Sequence, residues 1–102
     1  MNEKFRVLKP IVIQSIELQS KGALKPYLSN LSKDTVLKLA VLYYTGNIYM
    51  EDNVGDPYKF MNDKVKEYSY FNIEHLIEKF EGVCVFDRYL KDGWCKLTGE
   101  CI

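Results

Sequence analysis

SKDTVLKLAVLYYTG, residues Ser32–Gly46, is the stretch whose reading decides the fold. Between Val36 and Tyr44 only Lys38 is clearly polar. A helix that is apolar nearly all the way round has to be covered on several sides. Ser32 suits its N-cap, Asp34 suits the positive end of its dipole, and Gly46 suits the left-handed position just past its end. The stretch predicts a central helix over about residues 32–46, with shorter helices laid against it.

The flanks supply those helices. On the N-terminal side, residues 1–9 read as a short extended lead-in, and Pro10 fits the first turn of a helix, where a missing N–H costs nothing. Leu8, Val12 and Ile16 share a face at i, i+4 spacing, and Gly22 closes the element. The β-branched run Ile11-Val12-Ile13 also fits a strand. Helix is the better reading of residues 11–18, because Gln14, Ser15 and Glu17 break the alternation and no second strand exists to pair with it. Leu24, Tyr27, Leu28 and Leu31 then form a one-sided helix that leads through a tight turn at Asn30–Ser32 into the central one.

On the C-terminal side, Asp56-Pro57 is a helix start of the N-cap then N1 kind. The helix it opens turns Phe60, Met61, Val65 and Tyr68 inward. Asn72 caps a further helix with Ile73, Leu76, Ile77 and Phe80 on its apolar face, stopped by Gly82. Val83, Phe86, Leu90, Trp94 and Leu97 continue in helical period. Gly93 is expected to bend or end that last helix, and the tail TGECI to fray. The pattern predicts an all-α bundle of five or six short helices in a single domain, 1–102.

Composition removes several classes of function. Lysine plus arginine and aspartate plus glutamate balance at 14 each, which argues against a protein holding nucleic acid by bulk charge. The apolar runs fall far short of the ~20 residues that span a bilayer, so no membrane association is expected. The N-terminal residues MNEKFRVLKP lack a hydrophobic signal core, and the localisation inferred is cytoplasmic. Cys84, Cys95 and Cys101 are odd in number and lack two-residue spacing, so they read as buried or free thiols and not as a metal or redox site.

No constellation carries chemistry. His75 is the only histidine and sits at the edge of an apolar face. Cys84 and His75 could be drawn as nucleophile and base, but no glycine cluster supplies an oxyanion hole. Glu51, Asp52 and Asp56 with Gly55 look like part of a calcium loop, yet the twelve-residue ligand spacing and the terminal glutamate are missing. No glycine-rich phosphate loop is present. Catalytic residues, metal ligands and cofactors are therefore all set at none.

What remains is an aromatic surplus: eight tyrosines and five phenylalanines in 102 residues. Most tyrosines are expected to bury the ring and show the hydroxyl. Tyrosine is also enriched where surfaces bind partners. The group Tyr49, Met50, Glu51, Asp52, Tyr58, Tyr68 and Tyr70 is the candidate partner-binding cluster.

Two segments also show a resemblance. LAVLYYTGN, Leu39–Asn47, resembles the Leu-Val-Ala-Leu-x-Trp-x-Gly core of an uncharacterised all-helical bacterial family of unknown function. Val85–Gly93, VFDRYLKDG, is similar to that family's later Leu-Leu-x-Asp-Tyr-Leu-x-x-Gly. Tyr44 stands where the family has tryptophan, and the Arg-Gly after the first glycine is missing. The resemblance implies an all-α fold and no activity.

The function expected from these readings is a non-enzymatic protein-binding module. Its specific form would be an inhibitor borne by a phage or mobile element, acting on a host defence complex by steric occlusion in the anti-CRISPR manner. The lysine-, asparagine-, tyrosine- and isoleucine-rich vocabulary of an AT-rich genome points the same way. A small nucleic-acid-binding regulator is the alternative and a small enzyme the third reading. The partner expected is a larger bacterial protein complex, with a symmetric homodimer open.

Overall fold

The structure, a computed structural model, describes residues 3–47 and 55–102, with side chains from Phe5 onward. Among the described residues there are six helices and no strand: α1 (Glu3–Ser20), α2 (Leu24–Ser29), α3 (Lys33–Asn47), α4 (Pro57–Tyr68), α5 (Ile73–Gly82) and α6 (Phe86–Thr98). The all-α bundle expected from the sequence holds, and residues 11–18 are helical. None of these helices is long and apolar enough to cross a membrane.

α3 is the centre. Val36, Leu37, Leu39, Ala40, Val41, Leu42, Tyr43 and Thr45 are all buried, so its wall is covered on nearly every side. Its most extensive partner is α6; α4 and α5 cover it further, while α1 packs on α6 and α2. Phe80, Phe86, Leu90 and Trp94 complete the core with no measurable exposure. Trp94 meets Phe5 edge-on at 6.1 Å, and its indole N–H is buried without a hydrogen-bond partner among the described residues.

The helix ends follow the local chemistry. Ser32 Oγ accepts from Thr35 N at 3.2 Å, Asp56 from Tyr58 N at 2.9 Å, and Asn72 from His75 N at 3.1 Å. α1 closes in a Schellman arrangement: Ala23 N donates to Leu18 O, Gly22 N donates to Gln19 O, and Gly22 takes φ 69°. α6 starts differently. Val85 offers no side-chain cap. Gln19, from the end of α1, takes over: its Oε1 accepts from Asp87 N at 2.7 Å and its Nε2 donates to Val83 O at 2.6 Å.

Five expectations are corrected here. First, the N-terminal residues are not an extended lead-in, because α1 runs from Glu3 with Pro10 inside it. A mid-helix proline costs about 3 kcal/mol. Phe5 and Leu8 are buried on the near side of it, at about 1.5–3 kcal/mol each, and that burial outweighs the proline. Pro10 is exposed, so the Arg6 carbonyl that lacks its N–H partner lies on the water side. Second, Gly46 is no left-handed cap; it lies inside α3. A Cβ there would collide with the Tyr89 carbonyl and come within 2.9 Å of Gly93 N. Third, Gly93 neither bends nor ends α6 but is buried in it, where a Cβ would collide with the Leu42 carbonyl.

Fourth, the tail does not fray. α6 ends on Gly99 in the left-handed region at φ 76°, the Thr98 hydroxyl bridges Trp94 O and Glu100 O, and Cys101 returns to pair with Cys95 in a disulfide. Fifth, that disulfide overturns the reading of three free or buried thiols: Cys84 alone is free, and it is exposed.

Candidate protein-binding surface

The turn between α4 and α5 organises the surface. Ser69 caps α4, with its hydroxyl donating to Lys66 O at 2.7 Å, and Phe71 N returns to Tyr68 O at 2.9 Å. Asn72 then starts α5. Residues 72, 75, 76 and 79 follow at i, i+3, i+4, i+7, so Asn72, His75, Leu76 and Lys79 share one side of α5. With Phe71 and with Tyr44 from α3 they line an open groove of about 210 Å³.

The aromatic rings of this face form a continuous chain. Tyr44 meets Tyr68 at 5.6 Å, Tyr68 stacks on Phe71 at 5.0 Å with an interplanar angle of 10°, and Tyr70 stands edge-on to Phe71 at 4.7 Å. Tyr44, Tyr68 and Phe71 are half-buried, whereas Tyr70 is 81 % exposed. Burial is the largest influence on Tyr68 and raises its hydroxyl above the ordinary tyrosine value.

Lys79 supplies the charge. Its Nζ donates to the Tyr44 hydroxyl at 2.9 Å and lies 4.9 Å from the centre of the Tyr44 ring and 5.8 Å from that of Tyr43. The hydrogen bond to Tyr44 is the main reason its ammonium is held above the ordinary lysine value. Lys79 is thus a fixed cation at the rim of an aromatic groove whose lining, among the described residues, carries no carboxylate.

The predicted cluster is divided. Tyr68 and Tyr70 meet on Phe71. Tyr58 is not with them: it begins α4, where Tyr68 ends it roughly 15 Å along the axis, and it is half-buried against Phe5 at 6.3 Å. Tyr49, Met50, Glu51 and Asp52 lie outside the described residues. Four residues of this face lay outside the predicted cluster: Tyr44, Phe71, His75 and Lys79. The capping asparagine was the available signal, because it fixes which α5 residues align.

His75 and Cys84 are both exposed, and of the two His75 lines the groove beside Tyr44 and Phe71 while Cys84 does not. Among the described residues no three His, Cys, Asp or Glu side chains are placed to hold a metal ion. A larger groove of about 680 Å³ lies on α1, but its lining is aliphatic and ionic with no aromatic anchor. No protein-family model, curated protein or solved structure matches the chain.

Proposed function

We propose that this protein is a non-enzymatic protein-binding module that docks a partner on the Tyr70–Phe71 face. The observation that carries the reading is Tyr70, 81 % exposed and braced against a ring that is itself stacked on Tyr68. An exposed aromatic on a rigid base loses little freedom on binding and suits a hot spot. The groove beside it accepts an apolar side chain, and Lys79 at its rim favours a partner with a carboxylate nearby.

Steric occlusion asks for nothing beyond such a face. It is the mode of the specific form we put forward, a phage- or mobile-element-borne inhibitor of a host defence complex in a bacterial cell. The test is affinity capture from bacterial lysate with the wild type and Tyr70→Ala side by side. A protein retained by the wild type and reduced about tenfold or more on the variant supports the reading. Equal retention by both, or none by the folded wild type, overturns it. Tyr70→Ala leaves the unfolding midpoint within about 0.5 kcal/mol of wild type, because the residue is on the surface.

A further inference from the structure

The outer side of α1 carries a second surface. Arg6, Pro10, Ile13 and Gln14 follow at i, i+4, i+7, i+8 and, with Lys9, line the groove of about 680 Å³. Glu100, from the segment after α6, lines it as well. Four large hydrophobic side chains stand exposed among the described residues. One is Tyr70; the other three are Val7 at 73 % and Ile13 at 36 % on α1, and Ile102 at 38 % in the segment after α6. Single exposed apolar residues need no explanation, but a concentration on α1 and the segment that bounds its groove does.

The charges narrow the occupant. Arg6 and Lys9 are cations on α1 and Glu100 is the carboxylate of the other segment, and among the described residues none of the three is in an ion pair. A surface with both signs across a groove is self-complementary. A two-fold axis through it sets Arg6 and Lys9 of one copy against Glu100 of the other. We propose that this face is the interface of a homodimer.

The carboxylate side of that interface is held by covalent chemistry. Gly99 reverses the chain at φ 76°, Glu100 N donates to Thr98 Oγ1 at 3.1 Å, and the Cys95–Cys101 disulfide secures the segment to α6. Opening the disulfide with a dithiol, which is oxidised to its own cyclic disulfide as Cys95 and Cys101 become thiols, removes the covalent restraint and leaves Glu100 held by its Thr98 hydrogen bonds alone. The dimer is therefore tighter in the oxidised protein. This inference does not rest on the Tyr70 face.

Sedimentation equilibrium of the oxidised full chain, from low to high micromolar concentration, tests it. The wild type is expected to dimerise. Ile13→Glu and Arg6→Glu each weaken association about tenfold or more, Arg6→Glu combined with Glu100→Arg recovers part of the loss, and Cys101→Ser or dithiothreitol weakens it. Circular dichroism confirms that the variants fold; Arg6 and Ile13 are exposed, so they should. A wild type that stays monomeric throughout overturns the proposal. So does a double variant no tighter than Arg6→Glu alone, a dimer indifferent to reduction, or a dimer abolished by Tyr70→Ala.

Discussion

Gly46 and Gly93 bring the backbones of α3 and α6 into contact, and each occupies a space that a single Cβ would overfill. A Cβ on Gly46 strikes the Tyr89 carbonyl and a Cβ on Gly93 strikes the Leu42 carbonyl, so the two collisions are reciprocal and one helical turn apart. Gly46 stands one residue before the end of the segment Leu39–Asn47, and Gly93 ends the segment Val85–Gly93. The physical role of those segments in this chain is to let two helices cross more closely than side chains allow.

Substitution by alanine separates packing from propensity. In a helix interior alanine is favoured over glycine by about 1 kcal/mol. Gly46→Ala and Gly93→Ala should nevertheless lose about 1–3 kcal/mol or more, because the atoms met are backbone and cannot move aside. Gly82 ends α5 with nothing among the described residues within 4 Å of an added Cβ, and its φ is not positive. Gly82→Ala should be neutral or stabilising by up to about 1 kcal/mol. Urea denaturation followed by the emission of Trp94, the only tryptophan, measures all three.

Gln19→Met keeps the length of the side chain and removes both amide hydrogen bonds. The Asp87 N–H loses its Gln19 partner and the Val83 carbonyl keeps only Phe86 N, at a cost of about 1–2 kcal/mol. Gln19→Glu retains the acceptor for Asp87 N and loses only the donor to Val83, so its loss should be smaller. The same denaturation curves rank the two variants, and the opposite order would contradict the capping role.

Alkaline pH should destabilise the protein. Burial raises the hydroxyls of Tyr27, Tyr43 and Tyr68 above the ordinary value of 10.0, and the Tyr44 hydroxyl raises Lys79 above 10.5. Each proton is then held more tightly in the folded chain than in the unfolded one. The stability these groups contribute is fully present below the unfolded values and is lost as pH rises through the folded ones. Stability is thus insensitive to these groups near neutrality and falls above pH 10. Tyr43 is buried and carries more of the fall than exposed Lys79, so Tyr43→Phe should flatten the curve in denaturation series taken across that range.

Maleimide labelling counts thiols. The protein trapped without reductant should take up one label, at Cys84, and three after reduction. Disulfides persist in oxidising compartments and are rare in reducing ones. Labelling at the moment of cell lysis therefore also reads the compartment: three labels place the chain in a reducing environment, which is the cytoplasmic expectation.

The sequence was most informative where the cause is local. The apolar run of α3 and the caps Ser32, Asp56 and Asn72 depend on neighbours within a few residues, and each was readable. Gly46 was not, because a glycine after an apolar run looks the same whether it turns the chain or touches a distant helix. Only the position of α6 distinguishes them. Pro10 misled for a related reason: its local cost is visible, while the burial that offsets it depends on distant residues, Phe5 meeting Trp94 and Tyr58. The Cys95–Cys101 pairing needs the left-handed turn at Gly99. Within the candidate surface, Tyr68 and Tyr70 are neighbours in sequence, but Tyr44 and Lys79 are 35 residues apart and meet only through the fold.

Since α3 has its most extensive contact with α6, synthesis presents that side of it uncovered until α6 has emerged. A ribosome that has released α1 through α5 still holds back the helix that closes the apolar wall. The nascent chain is at its most adhesive until α6 emerges, and a stall in that interval would favour aggregation or chaperone capture over folding.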